Sequence, residues 1–236
     1  MTDPRPAGTQ LPDFAAPPAP GPDRIAGRFV TLERIDALAH AADIFAAAAG
    51  ADDVWDYMPY GPFADAAEYA DWMADMATRT DPFFYAIRDD ATGSVLGVAS
   101  FLRIEPAHGV IELGHILLTP PIQRTIAATE ALTLMIRWAM EAGYRRFEWK
   151  CNALNAPSRR AAIRLGFSFE GVFRHHMIVK SRNRDSAWFS IIDGEWPALR
   201  GAYDTWLSPE NFDASGEQRR SLSSLTEAAL PTRPKG

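Results

Sequence analysis

Three strand-like stretches follow one another in the middle of this 236-residue chain, at residues 83–88, 94–103 and 110–118. The segments between them contain residues 89–93 and 105–109, which carry the Asp, Gly and Pro residues typical of hairpin loops. Because such loops join antiparallel neighbours, this succession predicts an antiparallel meander at the centre of the fold.

After residue 121 the periodicity becomes helical, with small and apolar residues at spacings of four and three from Ala128 to Ala142, and with Gly143 as a stop. Crossover helices beside hairpins indicate a single α/β domain with a mixed sheet. The other predicted strands cover residues 28–32, 147–152, 167–179 and 187–193, and the other predicted helices cover residues 37–49, 64–77 and 155–165.

The two ends of the chain differ from its centre in composition. Seven of the 18 prolines fall within the first 22 residues, so we predict an extended, flexible arm over residues 1–24. Ser, Arg, Thr and Pro residues predict a loose tail over residues 215–236. The folded domain is therefore expected over residues 25–214.

The formal net charge of −6 conceals a division along the chain. Residues 1–144 hold 9 basic and 20 acidic side chains, whereas residues 145–184 hold 10 basic and 2 acidic ones. The overall charge argues against a nucleic-acid partner, while the basic segment predicts a small anionic ligand.

Cys151 is the single cysteine, which excludes an intrachain disulfide and a cysteine-based metal cluster. His115 has no cysteine or paired carboxylate at metal-ligand spacing, so we expect no metal. No apolar run reaches the roughly 18 residues of a membrane span, and no leader segment is evident. We therefore expect a cytoplasmic protein with no membrane partner, as a monomer or a homodimer.

A strand ending at residues 116–118, a turn over 119–125 and a long helix form a strand–loop–helix unit. Free backbone N–H groups and the helix dipole favour an anion at such a helix N-terminus. The unit is common in α/β proteins, so it does not identify the ligand by itself.

A set of short motifs, in this order and spacing, resembles the GNAT superfamily of acetyl-CoA-dependent N-acetyltransferases, with the RimJ/RimL-like branch as the best match. The resemblance covers about residues 25–207. The motifs are the run from Gln123 to Ala131, Asn155-Ala156-Pro157-Ser158, Leu165-Gly166-Phe167, Glu170-Gly171, Arg174 and Glu195-Trp196.

The resemblance implies a GNAT-type fold: a mixed, mostly antiparallel sheet flanked by helices, with the pantetheine arm of acetyl-CoA between two separating central strands and the pyrophosphate on the signature loop. The acetyl-CoA-binding residues that it implies are Ile116, Leu117, Leu118, Gln123, Arg124, Thr125, Ile126, Ala127, Ala128, Thr129, Asn155, Ser158 and Arg159.

The signature loop departs from the family pattern where Ile126 and Ala128 replace its two glycines. Ile126 excludes a positive φ in practice, which argues against tight wrapping of the pyrophosphate, although the small residues Ala127 and Ala128 still allow close approach. Alternatively, Ile126 simply packs against the sheet. Arg124, Arg159, Arg160 and Arg164 are candidate phosphate ligands, or ordinary solvated residues.

Asn155 and Ser158 stand at a helix start, where either residue suits an N-cap. The resemblance implies that Asn155 contacts the pantetheine arm and that Ser158 protonates the departing thiolate. The tyrosine that many superfamily members place on this helix falls on Ala162, which leaves Ser158 as the candidate acid.

Amide formation needs a neutral amine and therefore a base. The candidates are Glu112, Glu170 and the adjacent His175 and His176, of which at most one histidine is expected to face the site. We favour Glu112, followed by His176. The glutamate that some RimL-like proteins use falls on Met177.

These features predict an N-acetyltransferase that moves an acetyl group from acetyl-CoA to a primary amine, either a protein N-terminus or a small amino compound, by direct attack in a ternary complex. A non-catalytic acyl-CoA-binding module on the same fold is the alternative. The acidic part of the chain is expected to attract a cationic acceptor. The aromatic residues between 55 and 72 are interpreted mainly as core, with the loop 55–63 as a possible pocket lining.

Overall fold

The computed structural model describes residues 8–230, and eight strands in this range form one sheet in the order β1-β2-β3-β4-β5-β6-β8-β7. Every neighbouring pair is antiparallel except β5 and β6, which run parallel. The predicted mixed, mostly antiparallel sheet is thus confirmed. The strands are β1 (Arg24–Ala26), β2 (Val30–Arg34), β3 (Phe83–Asp89), β4 (Val95–Glu105), β5 (Val110–Leu118), β6 (Arg146–Asn152), β7 (Ser168–Val179) and β8 (Arg182–Ile192).

Helices cover both faces of this sheet, as an α/β domain requires. One face carries α3 to α6 over a core that includes Phe101, Phe147 and Phe167. The other carries α1 and α2 over a second core that includes Tyr69 and Phe84. The helices are α1 (Ala37–Ala47), α2 (Ala66–Ala77), α3 (Ile126–Glu141), α4 (Ala156–Arg164), α5 (Trp196–Leu207) and α6 (Leu222–Ala229).

The parallel strands β5 and β6 separate halfway along their length. They pair only from Val110 opposite Arg146 to Leu113 opposite Trp149. Beyond that point β6 stays paired with β8 as far as Asn152, while β5 follows β4.

A β-bulge in β5 accompanies the separation of the two strands. The register with β4 shifts by one residue between Val98 and Ser100, so that His115 and Ile116 stand opposite Ala99. His115 has a φ of 50°. Bulges bend a strand and increase its twist, which turns the end of β5 away from β6.

Both ends of the chain are more ordered than the sequence predicts. Residues 8–23 are extended, as their prolines dictate, but they lie on the domain: Tyr144 and Tyr85 donate hydrogen bonds to the carbonyl oxygens of Pro18 (3.0 Å) and Pro22 (2.8 Å). Carbonyl groups outside regular structure are free to accept such bonds. The described part of the predicted arm thus contacts the domain, and residues 1–7 lie outside the described range.

The prediction of a loose tail is wrong for the described part of residues 215–236. Helix α6 starts at Leu222 and is capped by Ser221, whose side chain accepts the Ser224 N–H, and it buries Leu222 and Leu225 in the main core. The spacing of three places both leucines on one helix face. Residues 231–236 lie outside the described range.

Candidate active site

The separation of β5 from β6 opens a cleft of about 670 Å³. Its size falls in the range of small-molecule sites. Side chains from both faces of the sheet line it, including Trp149 and Ser158 from the α4 side and Lys150 from the α2 side. The predicted site residues that line it are Glu112, Ile116, Leu117, Leu118, Gln123, Arg124, Asn155 and Ser158.

The other predicted site residues do not line this cleft within residues 8–230. Five of them form the cap and first turn of α3, where the side chains of Ala127, Ala128 and Thr129 are buried. Arg159 donates to the Ala153 carbonyl oxygen at 3.3 Å. The residues outside the lining are Thr125, Ile126, Ala127, Ala128, Thr129, Arg159 and His176.

The loop before α3 offers an anion-binding end to the cleft. Thr125 caps the helix, since its hydroxyl accepts the Ala128 N–H at 3.1 Å. The first-turn N–H groups of Ile126 and Ala127 have no acceptor within the helix and so remain donors for an anion. Arg124 is exposed at the mouth of the cleft and adds a positive charge there.

The replacement of a family glycine by Ile126 costs this loop little. The positive φ falls at Arg124 (61°), two residues earlier, and Ile126 adopts helical geometry and packs, partly buried, against the main core. The β-branched side chain therefore avoids the left-handed region that disfavours it. Whether the Ile126 N–H also binds an anion stays a prediction.

Two residues at the start of α4 have separate roles. Asn155 is the N-cap, because its Oδ1 accepts the Ser158 N–H at 3.1 Å. The Ser158 hydroxyl is therefore not needed for capping, and its Oγ accepts the Trp149 Nε1–H at 3.0 Å. Burial raises the pKa of the neighbouring Cys151 thiol. Ala162 is fully buried, so its place in the fold leaves no room for a tyrosine.

Glu112 lies on β5 in the cleft with 2% of its surface exposed. Its carboxylate pairs with Arg103, which also contacts Glu148 at 3.2 Å on the adjacent strand. Arg146 in turn binds Glu148 at 2.6 Å. Glu112 therefore belongs to an ion-pair network at the cleft that also contains Arg103, Glu148 and Arg146.

The remaining base candidates lie outside the cleft lining. Glu170 forms two bonds with Arg146, at 2.7 and 2.6 Å, which hold the pKa of that carboxyl below its usual range. His175 is exposed. His176 shares a hydrogen bond with Ser186 Oγ at 2.9 Å, and desolvation and nearby cations, with Lys150 the first, lower the pKa of its imidazole.

Among the cleft-lining residues to which sequence reasoning gave no site role are His115, Lys150 and Arg184. His115 stacks on Tyr60 with ring centroids 5.5 Å apart, and burial lowers its pKa to about 4, so its imidazole is neutral at neutral pH. Burial and the nearby Arg103 and Arg184 lower the pKa of Lys150 to about 8. The strand alternation of β6 could have predicted Lys150, since it lies two residues after Glu148 and therefore on the same face of the strand.

The aromatic residues between 55 and 72 mostly form core, as the sequence favoured. Trp55, Phe63 and Tyr69 pack edge to face or tilted, with ring centroids 5.1–5.7 Å apart. Tyr57 is the exception: it is 40% exposed, lines the cleft and donates to the Leu154 carbonyl oxygen at 3.3 Å.

Among residues 8–230, no group of three or more His, Cys, Asp or Glu side chains is arranged to hold a metal ion. None of their helices is both long and apolar enough to cross a membrane.

The fold and the cleft together define an acyltransferase of the acyl-CoA-dependent class. Residues 30–168 match the family of acetyltransferase (GNAT) domains, and the chain belongs to this family. The family predicted from the sequence motifs is confirmed. Members of this family are acetyltransferases that use acetyl-CoA.

Solved structures and a curated relative agree with this assignment. A GCN5-related N-acetyltransferase from Brucella melitensis is 45% identical, with a TM-score of 0.89 over 92% of this chain and 100% of that one. A probable acetyltransferase of the GNAT family from Chromobacterium violaceum is 40% identical, with a TM-score of 0.77 over 82% and 98%. The ribosomal-protein-serine acetyltransferase of Escherichia coli is 30% identical over 102 residues, which span 43% of this chain and 57% of that protein.

Proposed function

We propose that the protein transfers the acetyl group of acetyl-CoA to a primary amine by direct attack in a ternary complex. The observation that carries this proposal is a cleft lined from both faces of the sheet. A donor on the α3 and α4 side and an acceptor on the α1 and α2 side are able to meet in it, with Ser158 on one side and Glu112 on the other.

The residues at the α3 end of the cleft fit the donor. Gln123 and Arg124 line the cleft there, and the N–H groups of the first α3 turn supply anion donors. The end of β5, from Ile116 to Leu118, lies along the gap where a pantetheine arm needs hydrogen-bonding backbone. When bound, acetyl-CoA supplies a thioester carbonyl that is reactive towards amines.

Side chains of this protein accept and donate the protons of the reaction. The amine nitrogen forms the new C–N bond and loses a proton, which passes through a water molecule to Glu112. As the C–S bond breaks, the Ser158 hydroxyl donates its proton to the sulfur, and the solvent restores it. Trp149 orients Ser158 for this step, because its indole N–H occupies an acceptor site of the serine oxygen.

The acceptor belongs to one of two classes, a protein N-terminus or a small amino compound. The name of the Escherichia coli relative supports the first class, and the size of the cleft supports the second. Incubation with acetyl-CoA and a panel of amines and N-terminal peptides, followed by assay of free thiol, tests the proposal. We expect thiol release above the uncatalysed rate with at least one acceptor, whereas tight acetyl-CoA binding with no release for any acceptor would contradict it.

A further inference from the structure

Two cations stand in the cleft without a partner of opposite charge. Lys150 on β6 pairs in register with Trp188 on β8, and Arg184 lies four residues before Trp188, on the same face of that strand. Within residues 8–230, neither Lys150 nor Arg184 forms a salt bridge. Arg103, the third cation of this group, is bound to Glu112 and to Glu148.

Arg184 also has an unsatisfied hydrogen-bond donor. Its Nε is buried and has no hydrogen-bond partner among the described residues. The residue opposite it on β7 is Met177, which offers no carboxylate. A buried donor without a partner is unfavourable, so an acceptor brought by a ligand stabilises this side chain.

Negative charge lies elsewhere on the same cleft. Asp53, in the 3-10 helix Asp52–Trp55, and Asp56, which follows that helix, are exposed and line it together with Tyr57. The acceptor side therefore combines two acidic side chains, which attract an ammonium group, with two cations, which attract an oxyanion. Such a pattern complements a ligand that carries both groups.

We propose that Lys150 and Arg184 bind an oxyanion of the acceptor, and that the acceptor is a small amine bearing a carboxylate or a chemically similar phosphonate or phosphate. Guanidinium and ammonium groups are the usual partners of such oxyanions. This inference rests on the proposed function, and it narrows the acceptor from any amine to an amine with a negative group nearby.

Pairs of acceptors that differ in the negative group test whether Lys150 and Arg184 form an oxyanion subsite. Alanine, glutamate and phenylalanine are compared with their carboxamides, and aminomethylphosphonate is compared with methylamine. For at least one pair we expect kcat/KM to be at least about 10-fold higher for the anionic member, the factor of a charged hydrogen bond. The carboxylate and phosphonate arms then identify which oxyanion is preferred.

Variants connect this preference to the two residues. Arg184→Gln and Lys150→Gln are expected to lower kcat/KM for the anionic acceptor about 10-fold or more, while the carboxamide changes less than about 3-fold. Lys150→Arg keeps the charge and should retain most of the preference. Arg182→Gln is the matched control, because Arg182 is exposed on the same strand and does not line the cleft.

Calorimetric titration of each acceptor into the CoA-bound protein separates this inference from the proposed function. Turnover of the carboxamides as fast as the acids, or a preference unchanged in Arg184→Gln, overturns the subsite and leaves the transferase intact. Absence of turnover for every amine overturns the proposed function instead. In that case tighter binding of the acid than of the amide, lost in Arg184→Gln, still supports the subsite, and equal binding overturns it.

Discussion

The indole Nε1 of Trp149 donates a hydrogen bond to the Oγ of Ser158 at 3.0 Å, across the gap between β6 and α4. A serine oxygen that accepts from an indole N–H keeps its own proton for another acceptor. Because Asn155 already caps α4, the Ser158 hydroxyl has no structural duty at the helix end. This relationship leaves the hydroxyl proton of Ser158 free of the indole, at a residue that lines the cleft.

Replacement of this serine tests that role. Ser158→Ala should lower kcat about 100-fold, the lower range for loss of a general acid, and change the Kd for acetyl-CoA less than about 3-fold. Steady-state kinetics and equilibrium titration measure the two quantities. An unchanged kcat would remove Ser158 from the mechanism.

Asn155→Ala is the companion variant. Loss of the cap should lower the free energy of unfolding by about 1 kcal/mol, as measured by urea denaturation. Ser158→Ala should lower it as well, by about 1–3 kcal/mol, because the buried Trp149 indole N–H loses its acceptor; no loss in Ser158→Ala would mean that this hydrogen bond adds nothing to stability.

Much of the fold could be predicted from local sequence patterns, because hairpin loops, strand alternation and helix periodicity depend on residues that are close in the chain. The strand meander over 83–118 and the long helix after residue 125 are examples. The loop residues Gln123 and Arg124 were predicted through the family resemblance, since the signature motif begins at Gln123.

The residues on the acceptor side of the cleft could not be predicted, because their positions depend on the pairing of strands that are distant in the sequence. Lys150 and Arg184 line the same cleft because β8 lies between β6 and β7 in the sheet. The sequence does not specify that strand order or its register. The basic segment 145–184 suggested phosphate binding as a block. In the structure its members diverge: Arg146 serves ion pairs, Arg164 bonds Thr129, and Lys150 lines the cleft.

The loop arginine gives a second prediction. Arg124→Ala should raise the KM for acetyl-CoA about 10-fold with little change in kcat, and it should flatten the salt dependence of KM, because a phosphate contact is lost. Arg160→Ala is the control, since Arg160 is exposed on α4 and outside the cleft lining. Equal effects of the two variants would contradict a specific role for Arg124.

His115 gives a prediction about stability. Burial lowers the pKa of its imidazole from 6.5 to about 4, so between these values the unfolded chain takes up a proton that the folded protein does not. Stability is therefore lost as pH falls through this window, by up to about 3 kcal/mol from this residue. Urea unfolding of wild type and His115→Gln at several pH values measures the difference in slope.

Other groups titrate in the same window, so a matched histidine is needed. His108 is exposed in the loop between β4 and β5, and His108→Gln should keep the wild-type slope. A slope in His115→Gln that equals that of wild type would mean that the imidazole is not protected from protonation.

Lys150 gives a prediction about pH and ligand binding. Burial, together with Arg103 and Arg184, lowers the pKa of its ammonium to about 8, while Glu148 acts in the opposite direction. An N-acetylated amino acid, which has no amine to titrate, should therefore bind the CoA complex up to about 10-fold more weakly at pH 9 than at pH 7. Lys150→Arg stays charged and should bind the ligand equally at both pH values.

The nearby His176 has a lowered pKa, so its imidazole stays neutral between pH 7 and pH 9. Calorimetric titration with the matching N-acetylated amide should show no pH dependence, and a decline of equal size in wild type and Lys150→Arg would exclude Lys150 as its cause.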